Sequence, residues 1–229
     1  MFNQHFGLES AVLAGSKTMT RRTATKEDIQ RIYTYDLFGD NVFRLAKDLN
    51  GKIYPVAKAK YKRGETVAIL QSYETVYKWM RRFDPSPLTA IDFKTEHENS
   101  RGWTNKMYVS PKCMPFGIEI TDIKAERLQD ITEADIMREG VSHALCSAYN
   151  PETGEEGDYC FYRYTVKGDA VNIKCSVYTN ARDAFRELII GVSGRKTWEA
   201  NCWQFAYSFK KVNINPYFNR FYELEQHYE

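Results

Sequence analysis

The sequence lacks the paired cysteines and clustered histidines of common metal sites. Its five cysteines are scattered without a CxxC pair, at positions 113, 146, 160, 175 and 202. This pattern disfavours zinc and is typical of reduced thiols. The four histidines share no metal-ligand or catalytic-triad spacing, at positions 5, 97, 143 and 227. We therefore expect no metal and no other cofactor.

Long apolar runs and a strong net charge are missing as well. No stretch approaches the ~18 apolar residues of a transmembrane helix. Lys17 interrupts the one short apolar stretch near the N-terminus, which argues against a signal peptide. We expect a cytoplasmic protein with no membrane partner. Because the formal net charge is only +2, binding to nucleic acid would depend on local basic patches, at 21–22, 58–63 and 81–82.

Aromatic residues, by contrast, are abundant and make up 14% of the 229 residues. Aromatic rings fill protein cores, and they also stack on nucleic-acid bases. We expect most of them in core and sheet packing. The chain is long enough for one domain with a substantial hydrophobic core.

The pattern of apolar and polar residues predicts several strands. A short helix over 8–14, which Gly15 ends, precedes a strand with Thr18, Thr20 and Arg22 on one face. Three further strands are expected in one sheet, at 66–70, 116–123 and 203–209, the last with one buried face. After an acidic loop at 150–158, a hairpin is predicted that joins 159–165 to 171–178.

Two helices have clear start signals. Thr132 is the predicted N-cap of a short helix that ends at Glu139, with Gly140 as its stop. Asn180 is the predicted N-cap of a second helix, and that helix carries an apolar stripe typical of a core face, formed by Phe185, Leu188, Ile189 and Val192. Strands and short helices without a βαβ rhythm predict an α+β protein with an antiparallel sheet or small barrel.

Four separated segments carry a recognisable pattern. They are AGSKTMTRR at 14–22, GETVAILQSYE at 64–74, a stretch at 105–141 that contains DITEADIMREGV, and a stretch at 181–212 that contains GRKTWEANCW. In this order they resemble the ASCH family, especially its long members from phages, prophages and gut bacteria. The resemblance implies a PUA-like antiparallel β-barrel with short flanking helices. It also implies one domain at 1–213 with insertions at about 76–104 and 142–180, followed by a C-terminal tail at 214–229.

The same resemblance implies a catalytic site. Compact bacterial ASCH proteins include amidohydrolases that remove the acetyl group from N4-acetylcytidine. Their catalytic Lys, Thr and Glu correspond to Lys17, Thr20 and Glu139 of this chain. Without the resemblance, the lysine would be an ordinary surface residue after a helix end, and the threonine an ordinary strand residue.

The chemistry leaves two roles open for Lys17. Amide hydrolysis needs a nucleophile, a base and donors for the oxyanion, and the Thr20 hydroxyl can supply the nucleophile. Lys17 can be the base only if its pKa falls well below the usual value of about 10.4. Repulsion from Arg21 and Arg22 would favour that fall, whereas Glu139 would oppose it. Alternatively, Lys17 stays charged and stabilises the oxyanion while Glu139 handles the proton.

Five further residues are candidates for substrate binding. Arg22 could hold a phosphate or a base carbonyl with two hydrogen bonds. Tyr73 and Trp198 could stack on a base. Thr18 and Asn201 belong to the same family segments.

The expected partner is a modified nucleoside, RNA or DNA, and three functions remain open. The first is an amidohydrolase that acts on N4-acylated cytidine-type nucleosides. The second is a non-catalytic module that binds RNA or DNA. The third is a ribonuclease in which Lys17 and Arg22 stabilise the charge of the phosphorane. The sequence leaves the substrate and the oligomeric state undetermined.

If the chain binds RNA or DNA, the affinity should be low and should fall as salt rises, because its positive charge is confined to patches such as 58–63. Filter binding at low and physiological salt measures this. An affinity that is constant across that range would contradict the prediction.

Overall fold

The computed structural model describes residues 8–24, 35–38, 42–45, 57–83, 88–149, 156–163 and 178–227. The chain divides into two compact units. The first is built from residues 66–119 and 211–229, and the second from residues 2–65 and 120–210. Among the described residues, no helix has the length and apolar character needed to cross a membrane.

Helices and strands are mixed along the chain. The strands are β1 (Met19–Thr23), β2 (Tyr35–Phe38), β3 (Val42–Leu45), β4 (Ala57–Lys58), β5 (Thr66–Ala68), β6 (Phe116–Arg127), β7 (Ser142–Tyr149), β8 (Glu156–Arg163) and β9 (Trp203–Asn213). The α-helices are α1 (Leu8–Leu13), α2 (Tyr73–Phe83), α3 (Leu88–His97), α4 (Glu133–Arg138), α5 (Ala181–Ser193), α6 (Arg195–Ala200) and α7 (Asn219–Gln226).

The largest sheet of the described residues has four strands in the order β1-β9-β6-β5. Strand β1 runs antiparallel to β9, and Thr20 lies opposite Tyr207. Strand β5 runs antiparallel to β6, and Val67 lies opposite Ile118. The predicted placement of three separate strands in one sheet is therefore confirmed. The chain is an α+β protein with a curled antiparallel sheet.

Strand β9 differs from its prediction in one respect. All residues from 203 to 209 are buried, so both faces of this part of the strand are covered. The alternation of aromatic residues with Gln204, Ala206 and Ser208 had indicated one exposed face. The small and polar side chains of the second face are therefore buried as well.

The core of the second unit is built around α4 and α5. Both predicted N-caps are confirmed, because the Thr132 side chain accepts a hydrogen bond from Asp135 N and that of Asn180 accepts one from Asp183 N. Glu139 is the C-cap of α4, one residue beyond its last helical residue. The buried apolar side chains of this core are Leu128, Ile131, Ile136, Val141, Ala181, Ala184, Phe185 and Leu188.

The first unit contains helices where the sequence had indicated a polar insertion and a tail. Helices α2 and α3 occupy much of the stretch 76–104, and α2 buries Val76, Met80 and Phe83. Helix α7 lies within the predicted tail at 214–229. Aromatic rings from both regions and from β6 surround Trp79, namely those of Phe83, Phe116, Phe218, Phe221 and Tyr222.

The first strand of the predicted hairpin overlaps β8. Strand β8 pairs antiparallel with β7, which precedes it in the chain, with Leu145 opposite Cys160. Of the predicted partner 171–178, only Tyr178 is among the described residues, and it forms an isolated bridge to Tyr162. Residues 150–155 of the predicted acidic loop also lie outside the described residues, and 156–158 belong to β8.

Replacement of Thr132 by Ala should lower the free energy of unfolding by about 1 kcal/mol, because the N-cap hydrogen bond to Asp135 N is lost. Thr132→Ser keeps the hydroxyl and should lose much less. Urea unfolding of the two variants and the parent measures the difference. Equal stability of Thr132→Ala and Thr132→Ser would contradict the role of this cap.

Candidate functional site

The candidate site lies entirely in the second unit, where the segment after α1 meets the end of α4. Lys17 N donates to Ala11 O at 2.9 Å, which fixes the lysine against α1. Thr18 N donates to Arg138 O, and Thr18 O accepts from Phe209 N, each at 2.9 Å. Backbone hydrogen bonds thus connect Lys17 to α1, and Thr18 to both α4 and β9.

Lys17 and Glu139 form a buried ion pair although they are 122 residues apart in sequence. The Lys17 ammonium donates to Glu139 Oε2 and to the Glu139 backbone carbonyl, each at 2.6 Å. Their side chains are only 2% and 8% exposed. Because Glu139 caps the C-terminus of α4, the ammonium also faces the negative end of the helix dipole. Gly140 then leaves the helix with φ +102°, a conformation that favours glycine.

Arg21 holds the other oxygen of the same carboxylate. Its Nη1 donates to Glu139 Oε1 at 2.6 Å, and its Nη2 donates to Glu126 Oε1 on β6. The Arg21 side chain is 4% exposed. Its Nε is buried and has no hydrogen-bond partner among the described residues. Arg21 therefore joins two carboxylates in the interior, one on β6 and one at the end of α4.

The ion pairs continue from the interior towards the surface. Lys124 lies 2.8 Å from Glu126 Oε2 and also donates to Asp135, whose other oxygen is 3.3 Å from Arg138 Nη1. Positively and negatively charged side chains therefore alternate along one series of ion pairs. We call this series the charge network, and its members in order are Lys17, Glu139, Arg21, Glu126, Lys124, Asp135 and Arg138.

The two lysines of the charge network differ in proton affinity. Burial lowers the pKa of Lys17, and the positive charges of Arg21 and Arg22 add to that effect, while Glu139 opposes it. Partial burial also disfavours the charged form of Lys124, but hydrogen bonds and charges from Asp135 and Glu126 outweigh it and raise the pKa. Lys17 is therefore the lysine of the network that releases its proton more readily.

Lys17, Thr20 and Glu139 line one cavity of about 90 Å³, which we call the Lys17 cavity. The facing wall is apolar and comes mainly from α5, with Leu8 from α1. Thr20 is buried, and its hydroxyl has no hydrogen-bond partner in the described part of the chain. The remaining lining residues are Arg21, Arg22, Phe185, Leu188, Ile189, Val192 and Ser193.

A second cavity of about 170 Å³ shares Arg21, Arg22, Ile189 and Ser193 with the first. Its other walls include Thr23, Thr197 and Gln204. The Thr23 hydroxyl and the Gln204 side-chain amide are hydrogen-bonded to each other, at 3.1 Å from Gln204 Nε2. The Lys17 cavity is therefore largely apolar opposite its charged residues, while the second cavity offers neutral polar groups.

The other predicted binding residues are dispersed. Arg22 lines both cavities. Trp198 packs against Phe185, with ring centroids 6.2 Å apart, and lines a separate cavity of about 310 Å³. Asn201 takes the left-handed conformation at φ 44°, and its Oδ1 accepts from Gln129 N.

Thr18 and Tyr73 have structural contacts of their own. The Thr18 hydroxyl is 3.4 Å from Arg138 Nε, and the backbone of Thr18 joins α4 to β9. Tyr73 is in the first unit, where its ring stacks on His97 at 4.1 Å and its hydroxyl accepts from Ser110 N. Packing and hydrogen bonding within that unit account for the position of Tyr73.

Sequence reasoning did not find the bridging role of Arg21, nor Glu126 or Lys124. A signal was present for Arg21, since it lies between two residues that were assigned to the site. Comparison with models of known protein families, with curated proteins and with solved structures gave no match.

Glu139→Gln should destabilise the protein by about 3–5 kcal/mol near neutral pH, because two buried cations lose their shared carboxylate. Loss of Glu139 should lower the folded-state pKa of Lys17 below its value in the parent, because Glu139 is the group that opposes the lowering. Between these two pKa values the folded variant has released the Lys17 proton and the folded parent has not, so the stability deficit should shrink as pH rises through this window. Urea unfolding at several pH values measures the effect.

Glu199→Gln on the exposed surface of α6 is the matched control and should change stability little at any pH. A Glu139→Gln deficit that is the same below and above this window, or that grows as pH rises, would contradict the buried cation pair.

Proposed function

We propose that this chain is an ASCH-type, PUA-like protein that hydrolyses the N4-acyl amide of a cytidine-type nucleoside. One observation carries the proposal. Lys17, Thr20 and Glu139 are far apart in sequence, yet they line one cavity, and Lys17 contacts Glu139 directly. These are the three positions that the family resemblance implies for an amidohydrolase.

The site offers chemical roles for Thr20 and Lys17, and Glu139 holds Lys17 in place. The Thr20 hydroxyl attacks the acyl carbon, and Lys17 in its neutral form accepts the hydroxyl proton. That proton then passes to N4 as the carbon–nitrogen bond breaks, which releases cytidine and leaves an acyl ester on Thr20. Water hydrolyses the ester to the carboxylic acid and restores the hydroxyl. Burial of Lys17 supports the base role, because it lowers the pKa of the ammonium.

The cavities suit a small ligand better than a polynucleotide. The Lys17 cavity, at about 90 Å³, is well below the roughly 300–1,000 Å³ of typical ligand pockets. Its apolar wall fits a short acyl group next to Thr20. The base and sugar then occupy the adjoining cavity, where Arg22 and Gln204 can bind the base carbonyl and hydroxyl groups.

The experiment measures release of cytidine and acetate from N4-acetylcytidine by chromatography and mass spectrometry. Lys17→Arg, Thr20→Ala and Glu139→Gln should each lower kcat/KM by about 100-fold or more. Two replacements combined should add little to the loss, because the three residues act as a unit. Arg101→Gln is the matched control, since Arg101 is exposed and lies outside the basic patches, and it should keep parental activity.

Two outcomes would change the assignment. Retained activity in Lys17→Arg would reject the base role and leave the oxyanion role, because arginine keeps the charge but does not accept a proton. If the parent protein releases no acid from any acylated nucleoside, the hydrolase proposal fails. Salt-dependent binding of RNA or DNA in the same preparation would then favour a non-catalytic binding module.

A further inference from the structure

Arg21 is the buried cation that shares Glu139 with Lys17. We propose that Arg21 is a positioning residue: it fixes the Glu139 carboxylate and balances its charge when Lys17 releases a proton. The catalytic consequence rests on the proposed function, but the effect on Lys17 itself does not.

The geometry divides the carboxylate between two cations. Lys17 holds Oε2 and Arg21 holds Oε1, each at 2.6 Å. When Lys17 becomes neutral, Glu139 remains paired with the Arg21 guanidinium, so no unpaired negative charge is left in the interior. Without Arg21, loss of the Lys17 proton would leave Glu139 buried and alone. Lys17 would then keep its proton to a higher pH.

Among the described residues, the ionisable groups with the largest effect on Lys17 are Glu139 at the end of α4 and Arg21 and Arg22 on β1. Helix α1 also carries the buried carboxylate Glu9. Helix α1 contributes Leu8 to the cavity, and α5 contributes only uncharged residues, namely Phe185, Leu188, Ile189, Val192 and Ser193.

The contacts of Arg21 also separate it from an ordinary stabilising residue. Its guanidinium carbon is 5.8 Å from the centroid of the Phe185 ring, and its two terminal nitrogens bind different carboxylates, those of Glu139 and Glu126. An apolar side chain of similar size would avoid the buried donor and the buried charge. Only a cation in this position can both hold Glu139 and oppose the charge of Lys17.

The direct test follows the titration of Lys17 by NMR of protein with ¹³C-labelled lysine, with Lys17→Met used to assign the resonance. Arg21→Gln should raise the midpoint of the Lys17 titration by about one pH unit or more. Arg21→Lys, which keeps one charge but cannot bridge two carboxylates, should raise it less. Arg63→Gln, an exposed arginine of the same unit, should leave it unchanged.

For a second variant, the expected shift of the Lys17 titration midpoint has the opposite sign. Glu126→Gln removes the other carboxylate that Arg21 contacts and so leaves more positive charge near Lys17, which should lower the titration midpoint. This variant and Arg21→Lys decide the question if Arg21→Gln does not fold. An unchanged or lower midpoint in Arg21→Gln, or an unchanged or higher one in Glu126→Gln, would overturn the proposal.

Activity gives an independent readout. If the protein cleaves N4-acetylcytidine, the acidic limb of the kcat/KM profile should move with the Lys17 midpoint, and a shift of one unit means about tenfold less activity at a pH below both midpoints. If no acylated nucleoside is cleaved, the hydrolase proposal fails, and the NMR titration alone still decides the role of Arg21.

Discussion

The buried ion pair between Lys17 and Glu139 is the interaction on which the arrangement of the site depends. It joins the segment between α1 and β1 to the C-terminus of α4 across 122 residues of sequence. Two backbone hydrogen bonds, from Lys17 N to α1 and from Thr18 N to Arg138 O, hold the same junction. A buried ion pair typically adds little net stability compared with apolar packing.

The charge network joins two environments. Its inner end faces an apolar cavity wall, where burial lowers the pKa of Lys17. Its outer end includes Lys124, whose pKa is raised, and Arg138, whose side chain is 41% exposed. The outer pairs therefore stay charged and hold α4 against β6, while the inner lysine is the member that can exchange a proton. The outer ion pairs of the charge network thus have a structural role, while the inner lysine is available for proton transfer.

Local signals in the sequence predicted the elements that carry the site. The Thr132 N-cap predicted the start of α4, and Gly140 predicted its end and hence the position of Glu139. Both signals could be read because N-caps and helix stops depend on neighbouring residues only. Contacts between distant residues were harder to predict. Nothing near Arg21 in sequence indicates Glu126, and the pairing of β8 with β7 depends on register between separate strands.

Some signals were present in the sequence but were not used. Phe218, Phe221 and Tyr222 have helical spacing, and all three are buried where a tail was expected. Trp198 was assigned to the site as a ring that could stack on a base, and Asn201 because it belongs to a family segment. The left-handed conformation of Asn201 instead ends α6 and turns the chain into β9.

The central claim is that the Lys17 cavity receives the acyl end of a modified cytidine. A crystal structure of the Thr20→Ala variant with N4-acetylcytidine tests it most directly. The account predicts the acyl carbon within about 3.5 Å of the position of the missing hydroxyl, with N4 near Lys17 and the base in the adjoining cavity. A nucleoside bound elsewhere on the protein, with the Lys17–Glu139 pair unchanged and its cavity empty of ligand, would contradict it.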